Sequence, residues 1–140
     1  MKTLPIIVVD ADAIIAQTNP DDVLHKKAQE ISSTLVAKKA RIIYPSTAII
    51  EASAHIQRVL KDSLSAFRIA QLARDPIFEI AGVDQSILST ALDYFSPTTS
   101  KKNTLFDCVV AATAQEYKAD AIFSFDKFYK TKGFNLASEL

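Results

Sequence analysis

From Leu4 to Val9 the chain runs Leu-Pro-Ile-Ile-Val-Val without a polar position and then meets Asp10. A strand with one solvated face alternates apolar and polar residues. A β-branched run without alternation belongs to a strand buried on both faces, as in a parallel sheet with helices above and below. The run therefore predicts a first, central strand. It is too short to span a bilayer or to form a secretory core, so a cytoplasmic protein with no membrane association is expected.

The rest of the chain alternates in the same sense. Asn19, Pro20, Asp21 and Asp22 predict a capped helix start, with the helix running to about Lys39. Arg41 to Tyr44 predicts a second strand closed by Pro45, followed by a helix from Ser46 to about Leu60. Asp62 opens another helix ending before Pro76, Ile77 to Ala81 is a third strand, and Asp84 caps a helix to about Phe95. After a polar loop from Ser96 to Lys102 come a helix over Thr104 to Lys118, a strand over Ala121 to Phe125, and a short helix from Asp126 that Gly133 ends. Phe134 to Leu136 predicts a small edge strand. Strands alternating with helices predict one α/β domain spanning residues 1–140, a mainly parallel sheet covered on both faces through right-handed crossovers.

Several function classes are excluded. Only Gly82 and Gly133 occur, so glycine-rich dinucleotide and P-loop phosphate cradles are absent. A single cysteine, Cys108, can build neither an intramolecular disulfide nor a CxxC metal site. The formal charge of zero from 16 basic and 16 acidic residues speaks against a nucleic-acid partner only if the acids are dispersed. Four of them gathered on cations leave 16 bases against 12 acids, a remainder of plus four that a phosphate backbone would meet.

Ligands of open parallel sheets bind beyond the carboxyl ends of the strands. Asp10 and Asp126 each follow a predicted strand, and Glu51 and Asp107 lie in early turns of helices that begin at the same edge. Four carboxylates brought together repel unless protonated or neutralised, and hard divalent cations with oxygen ligands neutralise them, so a Mg²⁺ or Mn²⁺ site is expected. Each acid also has a plainer reading. Asp126 can be an N-cap, Thr104 and Asp107 fit a capping box, and Glu51 can pair with His55 one turn on. Asp10 resists such a reading, because a charge closing a doubly buried strand needs a compensating partner or ion.

Three stretches together resemble the PIN domains, including the VapC-like toxins of toxin-antitoxin pairs, and the resemblance covers nearly the whole chain. VVDADAII (Val8 to Ile15) resembles the family's opening strand, first acid and polar residue two places on, here Asp10 and Asp12. STAIIEA (Ser46 to Ala52) resembles its second acid-bearing segment and matches Glu51, while FDCVVAATAQEYKADAIFSFDKF (Phe106 to Phe128) matches Asp107, Ser124 and Asp126. Position 12 is Asp where the family often has Asn, Ser or Thr, and Ser124 replaces the commoner Thr. The resemblance implies a metal-dependent ribonuclease with Asp10, Glu51, Asp107 and Asp126 as ligands. Ser124, two residues from Asp126 on a strand, and Asp12 are expected to support those ligands. It further implies an RNA substrate and admits an antitoxin protein or a second copy of the chain as partner.

Lys101, Lys102, Lys127, Lys130 and Lys132 flank the motifs and are placed to contact backbone phosphates. His25 and His55 have no metal-type spacing and are expected in solvated or helix-pairing roles. Cys108 lies on the apolar stripe Leu105, Cys108, Val109 and Ala112, and Phe106, Phe123, Phe125 and Phe128 are assigned to the core. Two rival readings stand. VVDADAII also resembles the opening of haloacid-dehalogenase phosphotransferases, which would make Asp10 a nucleophile and Asp12 an acid/base, though the usual downstream lysine and glycine turn are not evident. The other is a catalytically silent interaction module of the same fold.

Overall fold

The computed structural model describes residues 3–140. Four strands, β1 (Ile6–Val9), β2 (Arg41–Pro45), β3 (Glu79–Ala81) and β4 (Ala121–Phe123), form one sheet in the order β3-β2-β1-β4. Every pairing is parallel, and β1 is internal, as its unalternating sequence predicts. Ile7 and Val9 pack into one apolar layer and Val8 into the opposite one, all within 1% of full burial. Each such side chain contributes about 1.5–3 kcal/mol relative to an exposed position.

The first layer is completed by α1 (Ala11–Thr18), α2 (His25–Ala37), α3 (Ser46–Arg58) and α4 (Ser63–Ala70). On the other face lies α6 (Leu105–Glu116), with α5 (Gln85–Ala91) packed against it and α7 (Phe128–Thr131) contributing Tyr129. In α6 the residues from Cys108 to Ala114 are all buried, and its alanines let the helix approach the sheet closely. With only two glycines, the chain ends elements on lysines instead: Lys39, Lys61 and Lys118 adopt left-handed φ values of 53°, 55° and 52°. Among the described residues no helix is long and apolar enough to cross a membrane.

Several expected boundaries move. Residues 11–18 form α1, which the sequence did not suggest, and Asn19 is the C-cap of that helix rather than the start of the next. Asn19 Oδ1 accepts from the Asp21 amide and Asp22 Oδ1 from the Leu24 amide, so local turns hold this segment and α2 begins only at His25. The helix after Asp62 changes at Gln71 to a 3-10 turn ending at Arg74, and Ile77, in a turn closed by Asp75, stays outside β3. The helix expected to reach Phe95 ends at Ala91. β4 stops at Phe123, and the edge strand at Phe134 to Leu136 reduces to a single parallel bridge between Ile122 and Leu136.

Candidate active site

The connections run from β1 through β2 to β3 on one side, and the chain then crosses back to place β4 on the other side of β1. Adjacent strands whose connections leave in opposite directions open a crevice at their carboxyl ends, which is where ligands of such sheets bind. Asp10 stands at the end of β1 and Ser124 to Asp126 follow β4, on the two strands flanking that crevice. Because β2 passes directly into α3, Glu51 reaches the same edge in the second turn of that helix, and Asp107 does so from the first turn of α6.

A pocket of about 240 Å³ lies there, lined by Asp10, Asp12, Glu51, Asp107 and Asp126 together with His55 and Lys102. The four acids expected as ligands thus share one cavity, and Asp12 makes a fifth. Asp10 is 3% exposed. Its Oδ1 accepts from the Ala11 amide at 2.7 Å, which caps α1, while Oδ2 faces the Tyr129 hydroxyl at 2.7 Å and the Ser124 hydroxyl at 3.1 Å. Asp12 Oδ2 accepts from the Phe125 amide at 2.8 Å and lies 3.0 Å from Ser124 Oγ, whereas its Oδ1 is buried without a partner. The Ser124 hydroxyl, with one proton, serves one of these two acids at a time, and it accepts from the Asp126 amide at 3.0 Å. Ser124 therefore acts from the loop beyond β4, not from within a strand.

The capping reading of Asp107 is correct as far as it goes, since its Oδ2 accepts from the Thr104 amide at 3.1 Å. The same carboxylate also faces the pocket, so capping and site membership do not exclude one another. Asn103 donates to Asp126 Oδ2 at 2.8 Å and lies 3.4 Å from Asp107 Oδ2, tying the last two acids together. Asp126 Oδ1 accepts from the Phe128 amide just ahead of α7.

Crowded, half-dry acids hold their protons more tightly. Burial, reinforced by the Asp12 charge, pushes the Asp10 carboxyl well above its usual range. Burial lifts Asp12 to about 6 against the hydrogen bonds from Phe125 and Ser124, and lifts Glu51 to about 7 with help from Asp107 and Asp12. Asp107 is also raised, chiefly by burial.

Among the described residues no group of three or more His, Cys, Asp or Glu side chains is drawn together closely enough to hold a metal ion as it stands. The donor set nevertheless suits a hard divalent cation. It is rich in carboxylate oxygen, it carries more negative charge than its surroundings offset, and it leaves one buried oxygen, Asp12 Oδ1, unanswered.

Other side chains depart from expectation. His55 lines the pocket mouth instead of being merely solvated, and Lys102 joins it there. His25 does pair helices, its Nδ1 lying 2.7 Å from the Ala16 carbonyl. Lys130 is bound to Glu139 at 2.8 Å, and Lys132 lies over the Phe128 ring, so both have partners within the chain. Cys108 and Phe123 are core, but Phe106 and Leu105 are about two-fifths exposed at the start of α6. Tyr129 and Asn103 were not singled out by the sequence, because neither residue type carries a motif and both act through contacts distant along the chain.

The sequence profile of the PIN domain matches residues 7–134. No curated protein matches the chain by sequence. Among solved structures, the chain is similar to VapC20 of Mycobacterium tuberculosis, described as a sarcin-ricin loop cleaving toxin. The TM-score is 0.79 at 14% identity, covering 91% of this chain and 95% of that one. It is also similar to FitAcB of Neisseria gonorrhoeae, with a TM-score of 0.68 at 14% identity over 96% of this chain and 99% of that chain. At such identities the likeness speaks to the fold.

Proposed function

The chain belongs to the PIN domain family, and on that footing we propose that it is a Mg²⁺- or Mn²⁺-dependent ribonuclease acting as the toxin of a toxin-antitoxin pair. The observation that carries this reading is the convergence of five carboxylates on the crevice between β1 and β4, with Asp12 Oδ1 buried and unpartnered. Asp10, Glu51, Asp107 and Asp126 would hold the cation. A bound cation supplies the Lewis acidity that polarises a phosphodiester and activates water.

The chain's own residues do the rest. Ser124 fixes the relative placement of Asp10, Asp12 and Asp126, and Asn103 fixes that of Asp107 and Asp126. Lys102 and His55 at the mouth meet the phosphates that flank the cleaved one, positioning RNA without reading its sequence. A toxin described as cleaving the sarcin-ricin loop shares this fold, which makes a structured RNA the target to test first, and a toxin role would call for an antitoxin as the neutralising partner. A phosphoaspartyl enzyme is disfavoured, because the family that matches residues 7–134 is the PIN domain and the downstream lysine and glycine turn of the rival family are not evident.

The test compares parent and Asp107→Asn on a structured RNA, with and without Mn²⁺. Asn retains an oxygen for the Thr104 amide, so a pure cap would lose about 1 kcal/mol or less and keep its cleavage. The proposal expects Mn²⁺ to raise the parent's melting temperature, a chelator to reverse this, and Asp107→Asn to cut cleavage about a hundredfold or more while remaining folded. Unaltered cleavage in the variant, or a parent whose melting ignores Mn²⁺, would sink the reading.

A further inference from the structure

Tyr129 does not line the acid pocket, yet its hydroxyl lies 2.7 Å from Asp10 Oδ2 and 3.4 Å from Asp107 Oδ1, both on side chains that do. It is fully buried, the largest side chain so enclosed, and packs with Val8, Val110 and Ile122 in the layer beneath α6. A ring that only filled this space would do so as phenylalanine, since a hydroxyl taken out of water destabilises unless it finds a partner. Here the partner is a carboxylate 119 positions earlier in the chain, whose own burial needs a donor.

We propose that Tyr129 is a positioning residue of the acid pocket, its hydroxyl holding Asp10 in register with Asp107 for a divalent cation; this rests on the metal reading above. The phenol's one proton is given to Asp10 at the shorter distance and can swing toward Asp107. The choice of a neutral donor matters. A lysine or arginine in the same place would also orient the two acids, but it would cancel the negative charge that attracts the cation. A phenol orients and leaves the charge standing, as hydrogen-bond partners behind metal ligands do.

Tyr129→Phe keeps the ring and removes only the hydroxyl, so the fold persists. The experiment titrates Mn²⁺ into parent and variant by calorimetry and measures cleavage of a structured RNA at limiting and excess Mn²⁺. The expected result is a Kd for Mn²⁺ weakened about tenfold or more. Cleavage should fall at limiting Mn²⁺ and recover with excess, with the KM for RNA unchanged. A variant that melts lower but binds Mn²⁺ as tightly as the parent makes the hydroxyl a core contact and overturns the proposal alone. A parent that binds Mn²⁺ but cuts no RNA refutes the ribonuclease reading, and the binding comparison still decides the role of Tyr129. A parent that binds no Mn²⁺ removes both.

Discussion

On the metal-free protein, raising the pH from about 5 to about 8 should lower stability, where salt-bridged carboxylates would leave it level. Burial lifts Asp12 from 3.8 to about 6 and Glu51 from 4.5 to about 7, and drives Asp10 and Asp107 in the same direction. For such groups the folded state binds the proton more tightly than the unfolded chain. Their contribution is complete below the unfolded value and is lost as the pH rises through the folded one. The whole difference for Asp12 is worth about 3 kcal/mol at roughly 1.4 kcal/mol per unit, and about 1.4 kcal/mol of it is lost above pH 5. Glu51 is half-exposed, so water screens it and it adds less than its shift suggests. At about 3 °C per kcal/mol for a chain of this length, Asp12 alone lowers the melt by roughly 4 °C across the window. The lowered acids Asp62, Glu79 and Glu139 act only at more acid pH and leave this window alone. Urea unfolding followed by far-ultraviolet circular dichroism in a chelator, at steps across the window, reads the slope directly. Asp12→Asn should flatten it by the share assigned to Asp12, and Mn²⁺ should oppose it, because deprotonated acids are the binding forms. Stability that holds level or rises from pH 5 to 8 would refute the account of the pocket as a cluster of destabilised charges.

Ser124→Ala removes the donor shared by Asp10 and Asp12 and the acceptor of the Asp126 amide. Thermal melts should show a loss of about 1–3 kcal/mol, cleavage should fall more than the melt explains, and Ser124→Thr should restore both. Asn103→Asp sets a carboxylate where a donor joined Asp107 and Asp126, so the metal-free melt should drop and added Mn²⁺ should recover part of it.

The pattern of the sheet was legible because it rests on simple physics: a strand buried on both faces cannot afford polar residues, and IIVV has none. Four of the five pocket acids were expected as ligands for a related reason, since each follows a strand or lies in the first two turns of a helix at the same edge. What escaped was set by contacts the sequence does not display. The eight residues of α1 follow β1 with no break, their helix begun by Asp10 itself, and the Asn19-Pro20 pair that reads as a helix start serves as a stop and a turn. The expected extension of β4 to Phe125 fails because the Phe125 backbone amide donates to the Asp12 carboxylate instead of to a neighbouring strand. Tyr129 is invisible for the same reason, being a core aromatic by pattern and a site residue by partner.

The donors that close over Asp10 come from Ser124 and Tyr129, 114 and 119 positions later. A chain emerging from a ribosome therefore carries Asp10 from the start but cannot complete the pocket around it until β4 and α7 have been made. On the ribonuclease reading proposed above, the chain would cut no RNA before that stretch has emerged. The order of its segments leaves the acid pocket unfinished until the last strand and the last α-helix of the fold have emerged.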